Sequence, residues 1–355
     1  MFLAVNELLR EKQRFLLITS VIILVGYLTF FLTGLAYGLA TSYTQGIDKW
    51  NAEGIILQKD ANNNIARSLL TESDYKNILN ENTALLGVGS ATVKQDKTDD
   101  VSLFGIDMGT FLAPNITEGR LVEKPNEVVI SDALRSIGLQ INQELKFKGS
   151  SMSFVVVGFA DKATFQTAPI VYMQQDVWRG LVADLAGMNS MQDETTVSAI
   201  ITKDVNTDAY NTDNMSWQSI KDFSFKLPGY QAQVLTFGLM ISFLIAIASL
   251  VLAIFMYVLT LQKKSIFGVL KAEGIPSSYI ARSVMIQIII LSALGLVIGV
   301  ALTILSSILL GSKVPFLINP QFFMAIFILF LVFAAIGGIA SVRSVAKIDP
   351  VEAIG

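Results

Sequence analysis

Four long stretches of this chain carry no charged residue: 15–40, 234–262 (uncharged already from 227), 283–312 and 314–342. A helix crossing about 30 Å of hydrocarbon needs about 20 apolar residues, and each stretch exceeds that. Only 15% of the chain is charged and its mean hydropathy is +0.56, whereas a soluble domain carries about 25% charged residues. The fold class expected is an α-helical membrane protein with four transmembrane helices and an inserted mixed α/β extracellular domain between helices 1 and 2. The fourth stretch breaks at Leu317, Ile318, Asn319 and Pro320, so its helix is expected from 320. The first stretch is longer than the apolar part of a secretory signal, about 7–15 residues, and is read as an uncleaved anchor.

Basic residues in short loops set the orientation. Arg10, Lys12 and Arg14 precede the first span. Lys263, Lys264, Lys271 and Arg282 stand between the second and third, and Arg343 and Lys347 follow the fourth. The expected order is a cytoplasmic amphipathic N-terminus (1–14), helix 1 (15–40), the extracellular domain with its stalk (41–230) and helix 2 (231–262). A cytoplasmic loop (263–282), helix 3 (283–312), a short extracellular loop (313–319), helix 4 (320–342) and a cytoplasmic tail (343–355) complete it. The domain at 41–230 carries 16 basic and 24 acidic residues.

Several chemistries are excluded. The chain has no Cys and no His, which removes disulfides, thiolate-held clusters, histidine-dependent hydrolysis and the usual zinc sites. No G-x-x-x-x-G-K-[ST] loop is present, so ATP cannot be held by that motif. The spans lack Asp, Glu, Lys and Arg, the groups that proton-coupled and ion-coupled transporters place at membrane depth. The net charge of −3 argues against a nucleic-acid partner. The chain reads as a mechanical part, not catalytic alone, whose energy comes from another subunit.

Within 41–230, short apolar runs at 54–57, 127–130, 145–147 and 154–157 are expected to be strands. Residues 131–138 are expected to form a short helix, capped by Ser131 or Asp132 and stopped by Gly138. Asn62, Asn63 and Asn64, and the acidic stretch with Asp96, Asp99 and Asp100, are read as turns or solvated loops. Pro228 and Gly229 mark a break before the second span.

In the middle loop Ile266, Val269 and Leu270 recur at i, i+3, i+4, predicting a short amphipathic helix. Gly274 and Pro276 end it, and Ser277 or Ser278 is expected to cap the next helix. Such a helix can dock a cytoplasmic partner or rest on lipid headgroups.

The loop 263–280, K-K-S-I-F-G-V-L-K-A-E-G-I-P-S-S-Y-I, resembles that of the FtsX/MacB superfamily of ABC-transporter permeases (type VII, mechanotransmission), where E-I-G-[IV]-L-[KR]-A-x-G precedes the third span; Ser265 stands where that family has Glu. The tail R-S-V-A-K-I-D-P-V-E-A-I at 343–354 resembles the family's closing D-P-x-E-A-[LI], and 126–158 resembles its periplasmic core domain. Compact length and the opening M-F-L-A-V-N-E-L-L-R-E-K-Q-R-F are most similar to the HrtB/DevC branch, whose HrtB members export haem.

The resemblance implies a homodimer in membrane lipid, bound to two copies of a cytoplasmic ABC ATPase that holds ATP and Mg²⁺. It implies haem as transported substrate with no permanently bound cofactor or metal. Ile266, Phe267, Val269, Leu270, Lys271, Ala272 and Gly274 would form the ATPase-coupling helix, and Leu270→Asp is expected to uncouple export. The alternatives in the same architecture are a permease for antimicrobial peptides or lipid-linked cargo, and an FtsX-like regulator of an external cell-wall hydrolase. Without His or Cys, iron contact falls to Tyr, Met or carboxylates, or the porphyrin is held mainly by apolar contact. Tyr230 beside Pro228-Gly229, Tyr37 and Tyr43 at the outer end of span one, the pair Tyr172 and Met173, and Met240, about three turns inward of Tyr230, are the candidates. Tyr at a membrane boundary is also a common interfacial anchor. Gly34 and Gly38 form a small-xxx-small pair suited to a dimer contact.

Overall fold

A computed structural model describes residues 12–94, 98–161, 163–187, 195–206, 208–311 and 314–346. Asp96, Lys313, most of the N-terminal segment and the D-P-V-E-A-I tail lie outside these. The chain divides into two compact units, residues 1–38 with 234–355, and residues 39–233.

The second unit is built on an 11-stranded sheet. Helix α1 (Lys12–Asp48) is followed by β1 (Gly54–Gln58), the single turn α2 (Glu72–Tyr75), β2 (Thr83–Val93), β3 (Asp99–Ile106), β4 (Ile116–Gly119) and β5 (Glu127–Ser131). Then come β6 (Glu144–Lys146), β7 (Ser153–Ala160), β8 (Thr164–Phe165), β9 (Ala168–Gln174), α3 (Gln175–Leu185), β10 (Ala199–Thr202), β11 (Met215–Ser219) and α4 (Ile220–Phe225). The strand order is β11-β1-β10-β2-β3-β9-β5-β7-β4, with β6 on β7 and β8 on β9. The pairs β3–β9 and β5–β7 are parallel.

Both faces of the central strands are covered, which explains why β3, β5 and β9 bury successive residues instead of alternating, while β4 and β6 at the far side stay largely exposed. On β3, Phe104 and Ile106 face one cluster with Trp50, Tyr172 and Ile201, while Val101 and Leu103 face another with Phe147, Phe154 and Trp178. Trp178 holds α3 to the sheet: a Cβ at Gly87 or Gly105 would overlap its side chain, so only glycine fits beneath it. The expected cap at 131–138 is present in 3₁₀ form. Ser131 Oγ accepts from the Ala133 N–H at 3.3 Å, and Gly138 closes the turn at φ +92°. Asn62 and Asn63 take positive φ, as turns require. Asp99 and Asp100, expected in a solvated loop, instead begin β3, paired with Val93 and Thr92; the Thr92 hydroxyl donates to Asp100 Oδ1 at 2.8 Å and makes the charge compatible with the ladder.

The first unit is helical: α1 up to Gly38, α5 (Tyr230–Gln262) from Val234, α6 (Lys264–Ala272), α7 (Ser277–Leu310) and α8 (Pro320–Ala346). Four helices are long and apolar enough to cross a membrane. Their buried stripe joins Ile22, Phe30, Leu252, Ile288, Leu296 and Phe330. The other faces expose Leu16, Leu250, Ile308, Leu309 and Met324, an apolar surface too extensive for a protein in water. Several hydroxyls inside the bundle bond to their own helix, among them Thr29 to the Val25 carbonyl at 2.7 Å and Ser249 to that of Ile245 at 2.8 Å. Such back-bonding satisfies a hydroxyl within its own helix, as a membrane interior requires. The next helix α7 starts without the expected serine cap; its N-cap is Pro276, whose fixed φ of −66° leads straight into Ser277 as first helical residue.

Candidate cargo and coupling sites

The short helix α6 begins at the buried Lys263, whose ammonium lies 5.6 Å from the Phe15 ring centre, and ends in a Schellman motif. The Ile275 N–H donates to the Leu270 carbonyl at 3.0 Å and the Gly274 N–H to that of Lys271 at 3.0 Å. Gly274 sits at φ +90°, where a side chain is strained. Leu270 and Ile275 then pack together onto the bundle core, as this motif's apolar contact requires.

The helix therefore has two distinct apolar faces. Phe267 is 2% exposed and Gly268 is buried, while Ile266 and Val269, three residues apart, are 52% and 44% exposed. Ala272 and Gly274 are exposed and Lys271 is half-buried. Leu270, expected on the coupling face, is half-buried against the bundle core. It belongs to the packed face, so a charge there disturbs the bundle before it disturbs any partner. The apolar pair left exposed is Ile266 and Val269.

Among the candidate cargo residues, Tyr43 and Tyr230 come together, with ring centres 5.5 Å apart and edges crossing at 60°. Phe225 adds a third ring 6.4 Å from Tyr230. Gly229, at φ +82°, makes the turn that delivers Tyr230 to this cluster; a Cβ there would stand 3.3 Å from the Tyr43 hydroxyl. Tyr37 instead packs on Phe322, ring centres 5.4 Å apart, and Met240 is an exposed residue of α5. Tyr172 and Met173 are adjacent on β9 and so point to opposite sides of the sheet. Met173 is fully buried and Tyr172 stands edge-on to Phe104, with burial holding its hydroxyl pKa above the ordinary range. Neither presents a surface to a porphyrin while the sheet core is closed.

Gly34 and Gly38 are covered from within the chain. The Phe316 ring lies directly over Gly34, the Pro315 carbonyl over Gly38, and the Leu317 N–H donates to the Gly34 carbonyl at 3.2 Å. Sequence reasoning missed the glycines that do bring two helices together. A Cβ at Gly295 would come within 2.6 Å of Ile22, and one at Gly299 within 2.8 Å of the Tyr27 nitrogen. Their i, i+4 spacing in an apolar run was the available signal.

Residues 238–350 match the FtsX-like permease C-terminal family. Over its full length the chain is similar to proteins named "Putative hemin transport system permease protein HrtB". It is 25% identical to that of Staphylococcus haemolyticus over 358 residues and 29% identical to one of Staphylococcus epidermidis over 362 residues. Each alignment covers 100% of this chain and 99% of the relative. The extracellular domain of the noncanonic ABC-type transporter YknZ from Gram-positive bacteria aligns at a TM-score of 0.31 and 14% identity, over 44% of this chain and 84% of that one. Residues 238–350 thus form an FtsX-like permease domain, in a chain with four helices long and apolar enough to cross a membrane.

Proposed function

We propose that this chain is the membrane subunit of a haem efflux system. The observation that carries the reading is the end-to-end similarity to HrtB hemin transport permeases, which runs through both units and the intervening α6 loop. A second copy of the chain and two copies of a cytoplasmic ATPase complete the machine, and ATP with Mg²⁺ acts on that partner. Both termini and α6 face the cytoplasm, following the basic residues, and residues 41–230 lie outside.

The mechanism follows from the parts. The apolar pair Ile266–Val269 seats in the ATPase, and the Schellman closure and the Phe267 anchor make α6 move as one piece with the bundle. Nucleotide-driven closure of the inner helix ends then passes along α1 and α5 to the outer domain, so cargo is expelled by mechanotransmission. Haem is a flat apolar ring with two carboxylates and partitions into lipid. The Tyr43–Tyr230–Phe225 cluster offers it aromatic faces and phenol oxygens, and Tyr is a competent iron ligand.

The test is deletion of the gene in its host. Haemin hypersensitivity with haem retained in the membrane is the expected result. Normal haemin resistance overturns the reading. Sensitivity to a peptide antibiotic instead assigns another cargo, and a chain-separation defect with an unactivated hydrolase assigns a regulator.

A further inference from the structure

The outer unit contains a cavity of about 540 Å³ at the first turn of α3, between the start of β2, the end of β3 and the 107–110 loop. That volume lies within the range of small-molecule pockets, about 300–1,000 Å³. The helix beginning there has no side-chain cap, its N-cap being Gln174.

The polar groups around this turn are unusual. Nine buried side-chain nitrogen or oxygen atoms among the described residues have no hydrogen-bond partner, and four belong to residues 175–179: both ends of the Gln175 amide, Trp178 Nε1 and Arg179 Nε. Buried polar atoms are paired in about nine cases of ten, so a cluster of orphans in one helical turn is a conspicuous exception. Gln175 and Arg179 also line the cavity.

The rest of the wall says what that occupant is. Leu79, Leu85, Ile106 and Met108 supply an apolar side. Asp107 and Asp176 supply two carboxylates at the rim, against one guanidinium, Arg179, which is 3.2 Å from Asp176. With two negative charges to one positive, a simple anion is not favoured. A ligand with a cationic and an anionic end is.

We propose that this cavity binds a short apolar peptide with free termini. The Gln175 amide has an unsatisfied donor and an unsatisfied acceptor, the complement of a peptide group. Arg179, held by Asp176, takes the terminal carboxylate, Asp107 takes the terminal ammonium, and the apolar wall takes the side chains. The site stands apart from the haem reading and does not depend on it.

The test is calorimetric titration of the full chain in lipid nanodiscs with tri-leucine, and with the same peptide acetylated and amidated at its ends. Saturable binding of the free peptide is expected, with the blocked form weaker by about tenfold or more. Arg179→Met and Gln175→Leu are each expected to weaken binding by about tenfold. Gln175→Leu is also expected to melt no lower than the parent, because it replaces an orphaned amide with an apolar group of similar size; loss of binding in that variant is then not loss of fold. No saturable binding overturns the proposal, as does equal binding of free and blocked peptides, or undiminished binding in both variants.

Discussion

The Leu317 N–H is hydrogen-bonded to the Gly34 carbonyl at 3.2 Å, while the ring of Phe316 covers the Gly34 α-carbon. The segment between α7 and α8 is thereby strapped to α1. Gly34→Val puts a side chain where the ring lies, and overpacking of this kind costs about 1–3 kcal/mol. Thermal melting in detergent should drop. Cross-linking between copies should stay at the parent level, since this face is used within the chain; loss of self-association with an unchanged melting temperature would return the pair to a dimer interface.

The two faces of α6 separate docking from folding. Val269→Asp leaves the packed face intact, so insertion and melting should match the parent while stimulation of the ATPase by the permease is lost. Phe267→Ala removes a fully buried ring and should destabilise the bundle by about 3–5 kcal/mol. Leu270→Asp should behave like Phe267→Ala, with loss of folded protein on size exclusion.

Gly274 closes the Schellman motif at φ +90°. Gly274→Ala should cost about 1–2 kcal/mol, the penalty for a left-handed non-glycine residue. Because the motif fixes the angle between α6 and α7, coupled ATPase activity should fall more than membrane expression does. Equal retention of both in the variant contradicts a mechanical role for the turn.

In the outer unit Arg120 grips Glu127 with two hydrogen bonds, 2.7 and 2.6 Å, and Glu127 also accepts from the Glu123 and Lys124 N–H groups. The guanidinium, helped by those N–H groups, holds the Glu127 pKa down to about 2 against an ordinary 4.5. Its contribution to stability is therefore complete above pH 4.5 and is lost as the pH falls toward 2. Glu127→Gln should lower stability at pH 7 by about 1–3 kcal/mol and flatten the dependence between those two values. Denaturant melts at a series of pH values check this.

The spans were legible because nothing but a membrane accommodates such uncharged lengths, and Asn319-Pro320 announced the start of α8. Gly138 and Ser131 announced their turn by local chemistry alone. β2 was not legible: Gly87 interrupts its apolar run, and its purpose, to admit the bulk of Trp178 from α3, shows only in the packing. Asp99 and Asp100 misled because an acidic pair reads as a solvated loop, and the Thr92 hydroxyl that accommodates Asp100 in the ladder is identified only once the two strands are paired. The α6 helix was legible as a period, but not which of its apolar residues faces the bundle. Tyr43 and Tyr230 are far apart in sequence and meet only through the Gly229 turn.

The aromatic cluster gives a residue-level expectation. Tyr230→Ala should raise haemin sensitivity of the host about as far as gene deletion does, with normal membrane levels of the protein. Tyr172→Phe keeps the buried ring and should leave resistance unchanged; the reverse pattern would move the cargo contact into the sheet core.

The most direct measurement is haem movement in proteoliposomes holding this chain with its cognate ATPase and haemin preloaded in the bilayer. The account predicts haem transfer to an external acceptor that requires ATP and disappears with Val269→Asp while the ATPase alone still hydrolyses ATP. Transfer that proceeds without ATP or without the ATPase, or no transfer from a complex whose hydrolysis is coupled to this chain, would contradict it.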